Sequence, residues 1–226
     1  MNSVLDLIQK AQKVMRSLLV EMEHSGGLTQ DRYQRFLSME YHLTKGVQRH
    51  FFALAGHEDM AQRRELRKFC IHMALEEEPH YALAQKDLEN LGLSVLPQPL
   101  DVTLWWAYFD TVLLTQPFVR LGGTCILENI VEGSKDIMQR LIAQATYLKP
   151  ENMQFLKLHM HESLPHGAQV IQVLSHAQLN AQQLSDLCHG AQIATLVFLR
   201  LIEEGLLGHA RILNAHLDKE NTPVTT

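Results

Sequence analysis

The stretch LHMHESLPHG carries His159, Glu162, Ser163 and His166 within two helical turns. At about 100° per residue, positions 159, 163 and 166 fall within roughly 60° of one another, with Glu162 at their margin and His161 nearly opposite. One helix would therefore aim imidazole and carboxylate groups at a common point, which is what a hard-to-borderline cation requires. A second segment, ALEEEPHYA, holds Glu77-x-x-His80, the i, i+3 spacing by which helical bundles present inward ligands to iron or manganese. In a chain with 25 acids and 13 histidines that spacing alone is a weak signal, and the run Glu76–Glu78 reads equally well as a solvated face beside a surface imidazole.

Glu128 has the stronger individual case. In LGGTCILENIVEG it stands among Leu121, Cys125, Ile126, Leu127, Ile130 and Val131, and burying an unpaired carboxylate is costly enough that an acid there is expected to meet a cation or a donor. Glu132, one turn on, is the less buried alternative. Ser163 is a poor iron ligand, and Glu162, displaced by about 100° around the axis, is the nearest substitute.

The elements that must position these groups are helices. Apolar residues recur at three and four, Gly and Pro are widely spaced, and no stretch shows sustained period-two alternation. The expectation is an all-α, single helical bundle of about seven helices over residues 1–217, with a disordered tail over 218–226. The first helix runs from about Val4, behind a Ser3 cap, to Glu23, ended by Gly26 and Gly27. The second starts after Thr29 and runs toward Gly56, and the third spans about Asp59 to Leu91. A Pro-containing linker from Leu93 to Pro99 delivers the chain to a fourth helix behind an Asp101 cap. A fifth spans Phe118–Leu148 with a kink at Gly122–Gly123, a sixth after Pro150 holds His159, and the last runs from about Ala181 to His216. Pro79 and Pro165 each precede a candidate imidazole and should bend their helices there. Trp105, Trp106, Phe109 and Tyr41 are candidate pocket-lining residues.

Composition removes several functions. A net charge of −5 without a basic stripe disfavours nucleic acid. No apolar run approaches 18 residues, so no membrane partner is expected, and residues 1–23 read as an amphipathic helix and not as a signal peptide. Cys70, Cys125 and Cys188 form no CxxC pair, which fits a reducing cytoplasm. A homodimer through an exposed apolar helix face is an expectation with no specific motif behind it.

The segments ALEEEPHYALAQKDLENLG, LGGTCILENIVEGS and FLKLHMHESLPHGAQV together resemble the haem-oxygenase-like superfamily. That superfamily includes the TenA thiaminase-like proteins, the pyrroloquinoline quinone synthase PqqC and di-iron oxidases and oxygenases such as UndA. The resemblance covers about residues 30–215. In the iron-dependent branch an acid and a His on one helix, an acid on the next core helix and a later H-x3-D-x2-H pattern hold metal. This implies Glu77 and His80, Glu128, and His159 with His166 as ligands. Ser163 stands where that branch has Asp, so a second iron would lose its usual carboxylate unless Glu162 or water replaces it, which leaves a one-metal site, a weakened dinuclear site or loss of activity.

The TenA branch implies different chemistry, a metal-free hydrolysis of an aminopyrimidine. Cys125 stands near its nucleophile position, Glu40 near its pyrimidine-binding acid, and Glu203 or Glu204 near its late-helix Glu. Thr124 and Asn129 depart from that branch's motif. Haem ligation by His42 or His50 ranks third.

The leading expectation is a non-haem iron oxidase or oxygenase that activates dioxygen on a small organic substrate. The alternatives are a Cys125-dependent TenA-like hydrolase and a non-catalytic small-molecule-binding protein that keeps the fold.

Overall fold

The computed structural model describes residues 1–161 and 166–208, in which helices are the regular elements. Eleven α-helices occur among these residues: α1 (Asn2–His24), α2 (Gln30–Thr44), α3 (Gln48–Gly56), α4 (Arg64–Glu77), α5 (His80–Asn90), α6 (Leu100–Val112), α7 (Pro117–Leu127), α8 (Lys135–Gln144), α9 (Gln154–His161), α10 (His166–His176) and α11 (Ala181–Leu207). They follow the seven expected rods, three of which are divided among the described residues. The second is cut into α2 and α3 beside Gly46, whose φ is +91°. The third is cut into α4 and α5 at Pro79, whose ring removes a backbone donor and obstructs the turn before it. The fifth is cut into α7 and α8, and α9 and α10 of the sixth lie on either side of residues 162–165, which are outside the described residues. Two of these three cuts fall at candidate ligands: Glu77 ends α4 and His80 opens α5, and Glu128 follows α7, while His166 is the first described residue of α10.

Local signals explain the ends. The Thr29 hydroxyl accepts from Arg32 N–H at the start of α2, and Asn180 with Gln183 forms a reciprocal capping box on α11. Gly26, Gly27 and Gly92 take positive φ after α1 and α5, as expected. Other expectations are corrected. The first helix begins at Asn2, so Ser3 lies inside it and caps nothing. Asp101 is within the first turn of α6, buried, with its carboxylate accepting from Arg200 Nε at 3.2 Å. Pro150 opens a short 3₁₀ turn ahead of α9. The last helix stops at Leu207, because Gly208 adopts the left-handed conformation there (φ +76°).

The glycine pair lies inside α7, which runs unbroken from Pro117 to Leu127. A Cβ at Gly122 would overlap the Leu187 carbonyl of α11, and one at Gly190 of α11 would overlap the Val119 carbonyl of α7. The missing side chains let the two helices cross backbone to backbone. This α7–α11 pair is the centre of the bundle, with α1, α2 and α6 also packed on α11, α10 on α4 and α7, and α5 on α2 and α9. The core between them is apolar, from Val4 and Leu37 to Phe118, Leu187 and Leu201.

Candidate metal centre

Glu77 at the end of α4, Glu128 just after α7 and His166 on α10 come together, with one donor atom of each lying within 4.8 Å of the others. Glu77 and His166 are buried and Glu128 is nearly so. Close approach is built into the chain at Gly167, where a Cβ would collide with the Asn129 side chain and the Glu128 carbonyl. The first turn of α10 can therefore rest directly on the segment that carries Glu128. Asn129 secures this seam, donating to the carbonyls of Cys125 and Gly167.

The orientation of His166 is informative. Its Nε2 lies 2.7 Å from Glu76 Oε2, while its Nδ1 faces Glu128 Oε2 at 3.3 Å and Glu77 Oε1 at 3.7 Å. With the Nε2 proton donated to Glu76, the neutral ring turns its Nδ1 lone pair toward two carboxylates. That arrangement repels unless a positive charge lies between them, as a second proton on the ring or as a cation. Donors bound about 2.1 Å from one ion at angles of about 90–110° stand about 3.0–3.4 Å apart. The two His166 separations are near that range and all three donors lie within 4.8 Å of one another, so the residues present fit a metal ion.

Glu76 is the residue that sequence reasoning missed. It bridges His166 and the half-exposed His72, whose Nε2 is 3.0 Å from the same oxygen. Its position in an acidic run had favoured a solvated role. The signal for it was the pair of adjacent acids, one turned inward to the cluster and one to the outer nitrogen of His166, an arrangement that would support the ring were it to hold a metal.

His80 and His159 flank the cluster. His80 Nδ1 lies 2.7 Å from Glu77 Oε2, so its imidazole pairs with the outer oxygen of Glu77 and leaves Oε1 toward His166. The His80 and His159 rings are 5.0 Å apart, and His159 Nδ1 donates to the Phe155 carbonyl at 2.8 Å, which puts its lone pair on Nε2. Burial would raise the Glu77 carboxyl, but the hydrogen bond from His80 and the His80, His159 and His166 imidazoles outweigh it and hold the carboxyl below its ordinary value. Glu162 and Ser163 lie outside the described residues, as does the single-helix geometry expected across 159–166.

A cavity of about 180 Å³ opens beside the cluster, lined by Glu40, Glu77, Glu128 and His159 together with mostly apolar side chains. Glu40, expected in the hydrolase reading, is buried on α2, and burial together with the charges of Glu77 and Glu128 pushes its carboxyl up to about 8. Of the four aromatic candidates Trp105 lines this cavity. Phe109 packs in the core against Trp105, the Trp106 indole donates to the His42 carbonyl, and Tyr41 stacks edge-on with Tyr81.

Cys125 is fully buried on α7, and burial with the nearby Glu128 charge pushes its thiol up to about 12, away from the thiolate a nucleophile needs. Glu203 and Glu204 do not line the cavity. Neither proposed haem ligand faces it. His42 Nε2 bonds the Leu96 carbonyl of the linker, and His50 has both ring nitrogens engaged, by Asp110 and Arg120.

No protein-family model matches the chain, and no curated protein is similar to it. Solved structures are. A domain of unknown function with a haem oxygenase-like fold from Shewanella denitrificans OS217 superposes with a TM-score of 0.75 at 17% identity, covering 97% of this chain and 94% of that one. A CADD-like protein of unknown function from Nostoc punctiforme PCC 73102 gives 0.67 at 13% identity, covering 92% and 99%. At such identities the likeness is one of fold, and the chain has the haem-oxygenase-like fold.

Proposed function

From that fold and the Glu77–Glu128–His166 cluster, we propose that the protein is a non-haem iron-dependent oxidase or oxygenase acting on a small organic substrate in the adjoining cavity. The observation that carries this reading is the His166 ring, held by Glu76 on one nitrogen and turned by the other toward two carboxylates. Bound iron supplies the one-electron chemistry by which dioxygen is activated. Glu77, Glu128 and His166 would hold the ion, Glu76 would fix the His166 tautomer, and the apolar cavity wall would exclude water from the reacting centre.

The donor set favours one ion in this cluster. A second would sit toward His80 and His159, where the 2.7 Å contact between His80 and Glu77 would have to open to admit it. The high position of the Cys125 thiol supports a metal over a thiol nucleophile.

The test is dioxygen uptake by protein loaded anaerobically with ferrous iron. Uptake above that of free ferrous salt, lost in Glu128→Ala, is expected. Chelator-insensitive turnover of an aminopyrimidine that is abolished by Cys125→Ala would overturn the reading in favour of a hydrolase.

A further inference from the structure

Arg120 is the largest charged side chain in the core, 1% exposed on α7, and it lines the same cavity as Glu77 and Glu128. A buried guanidinium is normally matched by a carboxylate, frequently in a two-point bond. Here its direct hydrogen bonds go to neutral acceptors, from Nε to His50 Nδ1 at 3.0 Å and from one terminal nitrogen to the Thr124 hydroxyl at 2.8 Å. The rings of Phe51 and Phe109 cover it at 5.3 and 5.5 Å. Its other terminal nitrogen has no hydrogen-bonded acceptor among the described residues.

The guanidinium is also held from behind. Since His50 Nδ1 accepts from Arg120, its Nε2–H must donate to Asp110 Oδ1, at 2.6 Å, and Asp110 is anchored in turn by Arg49 at the surface. Asp110, His50 and Arg120 thus form a line from solvent to cavity that fixes the plane of the guanidinium. A residue needed only to balance charge does not require such orientation. The remaining cavity wall offers Phe36, Phe155, Phe198, Leu43 and Ile202, suited to an apolar body.

We infer that Arg120 is a substrate-binding residue, seating the carboxylate of a ligand whose apolar body fills the cavity beside the metal cluster. The inference rests on the proposed function only in taking this cavity for the substrate site. The competing role for Arg120 is a fixed counter-charge to Glu40, Glu77 and Glu128, which lie around it.

Calorimetric titration of the full chain with matched pairs, octanoate against octanamide and benzoate against benzamide, separates the two roles. It is run in chelator and again with manganous ion. At least tenfold tighter binding of one carboxylate than of its amide, retained in chelator and lost in Arg120→Gln, is expected. Equal binding within each pair, or no binding by any of the four, would overturn the inference and leave the counter-charge role. Carboxylate binding that appears only with metal would also overturn it, by assigning the anion to the ion, while leaving the proposed function intact. Should Arg120→Gln fail to fold, the wild-type pairs in chelator decide the matter alone.

Discussion

Glu76 accepts a 2.7 Å hydrogen bond from His166 Nε2 across the junction between α4 and α10. This single contact decides which nitrogen of His166 is presented to Glu77 and Glu128. Replacing Glu76 by Ala removes no donor from the cluster but frees the ring and its tautomer. Manganous or ferrous affinity, measured by competition with a chelating dye, is expected to fall about 10–100-fold, whereas Glu128→Ala should reduce it further. Unchanged affinity in Glu76→Ala would mean that His166 is not a ligand through Nδ1.

Gly167 sets the spacing between His166 and Glu128. In Gly167→Ala the new methyl meets the Glu128 carbonyl and the Asn129 side chain, so α10 must move outward. A loss of about 1–3 kcal/mol in stability is expected from the overpacking, together with weaker metal binding. Denaturant unfolding and dye competition on the same sample check both effects.

The Glu40 carboxyl, buried and beside two anionic neighbours, is raised to about 8. A raised folded value means that the group's contribution to stability is fully present below its unfolded value near 4.5 and is lost as pH rises to about 8. Metal-free Glu40→Gln should therefore match the wild type near pH 5 and exceed it by a few kcal/mol, on the order of one per unit of pH crossed. Thermal unfolding in chelator across pH 5–9 is the measurement.

His50 behaves in the opposite sense. Burial, reinforced by the Arg120 charge, depresses its imidazole to about 4, so its contribution is complete above its unfolded value near 6.5 and is lost as pH falls toward 4. His50→Gln keeps an acceptor for Arg120 and a donor for Asp110 but does not titrate. Its stability should decline less steeply than that of the wild type between pH 6.5 and 4, a difference read from paired urea titrations.

The parts of this arrangement that the sequence exposed are those with a local signature. Glu77-x-x-His80 beside Pro79 marked both an inward acid with a partner imidazole and an irregularity of the helix between them, and Glu128 was conspicuous as an acid among apolar neighbours. The rest depends on contacts made across the bundle. Nothing near Glu76 shows that α10 will deliver His166 to it, because that meeting is set by a close approach of helices remote in sequence. Arg120, in FVRLGG, was open to the argument applied to Glu128, a charge set among apolar residues. Gly122 and Gly123 read as a kink because their partner surface on α11 lies some seventy positions away.

Iron-edge anomalous diffraction from crystals grown anaerobically with ferrous salt bears most directly on the metal assignment. A peak is predicted between Glu77, Glu128 and His166 Nδ1, about 2.0–2.3 Å from a donor atom of each, and absent in Glu128→Ala. A map with no peak there, or with iron held at another site in both proteins, would contradict it.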